Sequence, residues 1–128
     1  MQKTALSVGV ALRDILIKDG GVTAITKTIF PVYKDKATLP YVFYRRSGLV
    51  QTPQKSHGFP CDAVQLELSC CAATYGESVK LAEAVRAAVD NAEWSVDGLK
   101  VRACTLTDAE ENWADDAFIQ NLVFTIKL

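Results

Sequence analysis

Residues 62–74 read DAVQLELSCCAAT, and this stretch decides the fold. Val64, Leu66, Leu68 and Cys70 alternate with Gln65, Glu67, Ser69 and Cys71. A strict period of two is what a strand with one buried and one solvated face requires. The pattern then changes period. From Gly76 to Ala92, Leu81, Ala82, Val85, Ala88 and Val89 form an apolar stripe opposite Glu77, Lys80, Glu83 and Arg86, which predicts a helix. Glu77 falls in its first turn, where the helix dipole favours negative charge. A strand running into an amphipathic helix places that helix on the strand's apolar face.

Toward the N-terminus, the aromatic and β-branched run Tyr41–Arg46 reads as a second strand, launched by Leu39-Pro40, where the proline turns its predecessor away from helix. Before it, Thr28–Phe30 is extended and ends at Pro31, and Val22, Ala24 and Ile25 suit a short turn. Thr4–Lys18 carries Val8, Leu12, Ile15 and Leu16 at helical spacing, and Gly20-Gly21 suits a left-handed stop. Between the two strands, SGLVQTPQKSHGFP (residues 47–60) has the prolines and glycines of a long loop or a splayed hairpin tip.

Toward the C-terminus, Trp94–Val96 and Leu99–Thr107 flank Asp97-Gly98, a favoured two-residue turn, and so predict a hairpin. Residues 107–116 read as an acidic connector. Ala117–Leu128 is a last strand, apolar enough on both sides to lie centrally or at a subunit contact. The order α-β-β-β-α-β-β-β predicts an α+β fold: two helices packed on one face of a mostly antiparallel sheet, with a long β-hairpin or loop. At 128 residues, 49% hydrophobic and 23% charged, the chain is sized for a single domain spanning 1–128.

A net charge of −1 removes the broad basic field that nonspecific nucleic-acid or anionic-membrane binding needs. No apolar run approaches the roughly 20 residues that span a bilayer, and the N-terminal apolar stretch lacks a small-residue cleavage site, so a soluble cytosolic protein is expected. Adjacent Cys70 and Cys71 point to opposite faces of a strand, and no CxxC occurs with Cys61 or Cys104. Reduced thiols that pack as small core residues are therefore expected. The lone His57 sits in a Pro/Gly-rich segment with no partner nearby in sequence. Phosphate-loop, dinucleotide and nucleophile-elbow motifs do not occur. Asp108, Glu110, Glu111, Asp115 and Asp116 lack the spacing and turn glycine of a calcium loop and read as solvated charge. No catalytic, cofactor or metal site is expected.

Charge is nevertheless uneven along the chain. Residues 27–55 hold Lys27, Lys34, Lys36, Arg45, Arg46 and Lys55 against Asp35 alone, whereas 108–116 holds five acids and no base. Two readings stand side by side: two solvated loops, or a basic region on one subunit facing an acidic region on the next.

Four stretches together resemble the bacteriophage tail-completion family, related to tail-terminator and head–tail joining proteins: ALRDIL at 11–16, IFPVYKDKATLPYVFYRR at 29–46, AVQLELSCCA at 63–72 and YGESVKLAEAVRAAVDN at 75–91. They occur in the family's order. The paired cysteines and the acidic connector depart from its pattern. The resemblance implies a structural, non-enzymatic protein, assembled in the host cytoplasm and then carried in the virion tail. Its subunits would form a ring, expected to be a hexamer, capping the head-proximal end of the tail tube and docking to the head connector. DNA could pass through the ring, without specific nucleic-acid binding. By position, the resemblance assigns subunit contacts to residues 47–60, including Gln51, Gln54, Lys55 and His57, and to the strand end Tyr44, Arg45 and Arg46. Exposed strand edges would favour the same outcome, since they pair readily with another chain and ring closure removes them. The competing reading is a small-molecule or peptide-binding module with Tyr41, Phe43 and Tyr44 lining a pocket.

Overall fold

A computed structural model of the chain describes residues 5–32, 38–53, 60–90, 94–96, 99–101 and 103–127. Strands β1 (Ile29–Pro31), β2 (Tyr41–Pro53), β3 (Pro60–Ala72), β6 (Ala103–Ala114) and β7 (Ala117–Lys127) form one sheet in the order β1-β2-β3-β7-β6. The short β1 runs parallel to β2, and every other pairing in this sheet is antiparallel. Strands β4 (Trp94–Val96) and β5 (Leu99–Val101) make a separate hairpin. The helices are α1 (Val8–Lys18), preceded by a 3-10 turn at Ala5–Ser7, then α2 (Gly20–Thr23) and α3 (Tyr75–Val89). The fold is α+β, as the alternating periods predict.

The pleat decides the layers. Val64, Leu66, Leu68 and Cys70 of β3 share a face with Val42 and Tyr44 of β2 and with Leu122, Phe124 and Ile126 of β7. All are buried with Val8, Leu12 and Leu16 of α1 and Leu81, Val85 and Val89 of α3. Each such side chain taken out of water stabilises the fold by about 1.5–3 kcal/mol. On the opposite face Gln65 is exposed, but Ser69 and Cys71 are 3% and 1% exposed, so only half of it is solvated. Ser69 Oγ donates to Asn121 Oδ1 at 2.5 Å, and Phe30, Tyr41 and Phe43 cluster on that face with ring centroids 5.5–6.3 Å apart. Tyr41 and Phe43 therefore lie on the face away from Tyr44, and the three do not line one pocket.

Four boundaries differ from the sequence reading, each for a local reason. Gly20-Gly21 is not a left-handed stop, because the Asp19 carboxylate accepts the N–H groups of Gly21 and Val22 at 2.9 and 3.0 Å and starts α2 there. Residues 47–60 are not wholly loop. A bulge at Ser47 resets the register, and β2 pairs with β3 out to Pro53↔Pro60. The remaining 54–59 lie outside the described residues. The acidic connector is the edge strand β6, paired with β7 from Ala103↔Lys127 to Ala114↔Ala117. Only Asp115 and Asp116 connect the two, at φ 53° and 60°, the positive values that a tight primed hairpin turn demands. Finally, α3 stops at Val89, with Thr74 Oγ1 accepting the Glu77 N–H at its start and the Asp90 N–H closing onto Arg86 at its end.

Candidate assembly surface

The sequence-derived contact residues fall in several distinct places. Tyr44 is 6% exposed and packs under Gly9 of α1, where an added Cβ would come within 3.3 Å of its ring. Burial pushes its phenol up, with Arg13 opposing that shift. Arg45 and Arg46 point to opposite faces of β2. Arg45 Nη2 meets Glu67 Oε2 at 3.2 Å in an exposed pair, which contributes at most about 1 kcal/mol. Arg46 Nη1 donates to the Leu6 carbonyl at 3.2 Å, on the helix side. Gln51 lies in the β2 arm; Gln54, Lys55 and His57 lie outside the described residues.

The five acids also divide. Asp108 and Glu110 register with Val123 and Asn121 on the face away from the helices, and Asp115 and Asp116 form the turn. Glu111 lies on the helix side, accepting from the Tyr75 hydroxyl and, at 3.1 Å, from Gln120 Nε2. Those two hydrogen bonds, Tyr75 first, hold its carboxyl below the usual range, and the same contact raises the Tyr75 phenol. Gln120 also reaches Ser78 Oγ at 3.3 Å, so the network ties the β6–β7 hairpin to the first turn of α3.

Backbone accounting shows how the sheet can and cannot grow. On β6, the Leu106 N–H donates to Asp90 Oδ1 at 3.0 Å, Ala109 to Asp108 Oδ1 at 2.9 Å and Trp113 to Asn112 Oδ1 at 2.8 Å. On β1, the Ile29 carbonyl accepts from Arg13 Nε at 3.0 Å, and Pro31 has no N–H to offer. Side chains thus occupy backbone groups at both edges, the device that keeps sheets from pairing edge to edge. At these strands the named edge groups therefore have partners within the chain. The exception is the arm: β1 accompanies β2 only as far as Tyr44, and among the described residues no strand pairs with the outer side of β2 beyond it.

Beside the end of β1 is a mainly apolar groove of about 230 Å³, bordered by α1, Val32 and Arg46. Its exposed walls, Leu6, Val10 and Val32, went unnoticed in the sequence, as did Trp113, which is 57% exposed. A signal was available: Val10 falls off the Val8, Leu12, Leu16 stripe, and Trp113 is an aromatic residue set in an acidic run. Among the described residues, no group of three or more His, Cys, Asp or Glu side chains is placed to hold a metal ion. Likewise, no helix among them is long and apolar enough to cross a membrane.

These features describe a helix-backed sheet with a hairpin arm that extends beyond β1. The chain belongs to the tail completion protein gp17 family, whose model matches residues 10–125. Its role is therefore a structural one in a phage tail. Among solved structures, it is similar to a chain from the virion of a native gene transfer agent (GTA) particle, with 16% identity, a TM-score of 0.82, and coverage of 97% of this chain and 98% of that one. That likeness shows a shared fold. No curated protein sequence matches the chain.

Proposed function

We propose that the protein is a ring-forming tail-completion subunit. Six copies would close on the head-proximal end of the tail tube, end its growth and present a docking surface to the head connector, with DNA able to pass through the centre. Assembly takes place in the host cytoplasm before the ring becomes part of the virion. The observation that carries this reading is the family match over 10–125, joined to a β2–β3 arm that extends beyond β1. The arm, residues 47–60 with Gln51, Gln54, Lys55 and His57, supplies one subunit contact. Arg45 and Arg46 on one flank and the acids of β6 and its turn on the other supply complementary charge. A head-to-tail contact between unlike surfaces closes into a ring when its rotation permits. The subunit acts by shape and contact, without a catalytic group or cofactor.

The test is reconstitution with purified tail tubes. Electron microscopy should show one cap at a single tube end, and native mass spectrometry of the released cap should give six subunits. Tubes assembled without the protein should overgrow. A protein that binds no tube end and leaves tube length unchanged would overturn the proposal.

A further inference from the structure

Of the exposed large apolar side chains among the described residues, Leu49 lies on the β2 arm and Tyr75 bonds Glu111 from the start of α3, and the other four stand at two separate places. Leu6, Val10 and Val32, at 62%, 62% and 64% exposure, wall the groove beside β1, whose rim carries Arg45 and Arg46. Trp113 stands on β6, two residues before the Asp115-Asp116 turn. From these positions we infer that the β6–β7 turn of one subunit docks into the α1–β1 groove of the next, Trp113 entering between Leu6, Val10 and Val32 while Asp115 and Asp116 meet Arg45 and Arg46. The inference rests on the ring reading above and specifies its contact.

Position, chemistry and strain converge on it. Trp113 pairs in register with Phe118 and shares the helix side with Glu111, and the groove is bordered by α1 on that same side. The two sites nevertheless lie at opposite edges of a five-stranded sheet, about 19 Å apart at the usual strand spacing, so one chain cannot bring them together. A knob on one edge and a hole on the other form a heterologous contact, the kind that propagates around a ring. A half-exposed tryptophan suits an apolar recess of this size, and aromatic anchors seated in pockets dominate interface energetics. The charges agree: β6 and its turn carry acids and no base, and the Arg46 guanidinium is steadied at the rim by the Leu6 carbonyl. Val32 is held at φ 60°, a costly conformation for a β-branched residue, with its side chain presented at the groove.

The experiment pairs a hole variant, Val10→Glu, with a knob variant, Trp113→Glu. Both positions are exposed, and a circular dichroism melt checks that each variant folds. Native mass spectrometry is run with and without tail tubes. Each variant alone should lose rings at least tenfold relative to the wild type. Mixed, they should give dimers that grow no further, because one sound junction forms, between the intact knob of the Val10→Glu chain and the intact groove of the Trp113→Glu chain. Rings from either single variant, or a mixture without dimers, would overturn the contact while the wild-type ring left the broader reading intact. Variants that form rings but fail to bind tubes would assign the groove to the tube protein and overturn it equally. A wild type that never forms a ring, even on tubes, would defeat both.

Discussion

Asp90 joins the end of α3 to the edge of the sheet, and substituting it separates two effects that the structure superimposes. Its Oδ1 accepts the part-buried Leu106 N–H at 3.0 Å, and its Oδ2 meets Arg86 Nε at 3.1 Å. The Asp90 side chain is 14% exposed and that of Arg86 is 53% exposed. A hydrogen bond to a charged group contributes about 1.5–3 kcal/mol, and losing the acceptor strands a backbone donor. A helix-surface ion pair with one half-exposed partner contributes only about 0.3–0.5 kcal/mol. Asp90→Ala should therefore cost about 2 kcal/mol, most of it at Leu106. For a chain of this length that lowers Tm by roughly 6–10 °C. Asp90→Asn keeps an oxygen for the Leu106 N–H and gives up the ion pair, so it should lose about 0.5–1 kcal/mol, or roughly 2–4 °C. Calorimetric melts of the three proteins decide the matter, and light scattering should show more nonspecific association for Asp90→Ala, whose edge strand regains a donor. If the alanine and asparagine variants melt within about 1 °C of each other, the carboxylate is not acting through the sheet edge.

Three further outcomes are expected. Burial raises the thiols of Cys71 to about 11 and Cys104 to about 12, and raises Cys70 further, so a Cys61→Ser variant should not react with Ellman's reagent at pH 8 until urea releases three thiols. The Tyr75–Glu111 contact lowers the carboxyl and raises the phenol; its stabilisation is present between pH 4.5 and 10.0, is lost as pH falls below the first value and is lost as pH rises above the second. Melts across pH should show Tyr75→Phe lacking the alkaline limb and keeping a smaller acid limb, because Gln120 still donates to Glu111. Asp116→Gly relieves a positive φ of 60° and should raise Tm by roughly 3–6 °C, a gain of about 1 kcal/mol.

The sequence spoke most clearly where one face of an element is buried. The β3 alternation and the α3 stripe located the core because each has a dry side and a wet side. It misled at β6, where TDAEENWA is exposed on nearly every residue and burial leaves no period to read. The strand exists because β7 and a two-residue turn hold it in place, and both are contacts outside its own composition. The β2 arm was obscured for a related reason: the Ser47 bulge shifts the alternation by one residue, so 41–53 do not read as one period. The candidate contact residues were chosen by charge and position along the chain, and neither quantity reveals sides. Only the pleat shows that Arg45 and Arg46 diverge, that Tyr44 is core, and that Glu111 serves α3. Trp113 needed two facts absent from any single window of sequence, its exposure and its place on the edge opposite the groove.

The side-chain bonds along β1 and β6 have a consequence for dimension. Along β1 and β6 the engaged groups work against a further strand, and among the described residues the outer side of β2 beyond Tyr44 is where the margin stays unpaired, so the subunit behaves as a tile of nearly fixed breadth rather than as an extensible ribbon. Any closed assembly of such tiles takes its circumference from a whole number of breadths and the angle at each joint. In the proposed ring the bore would then take only discrete values, one for each number of subunits.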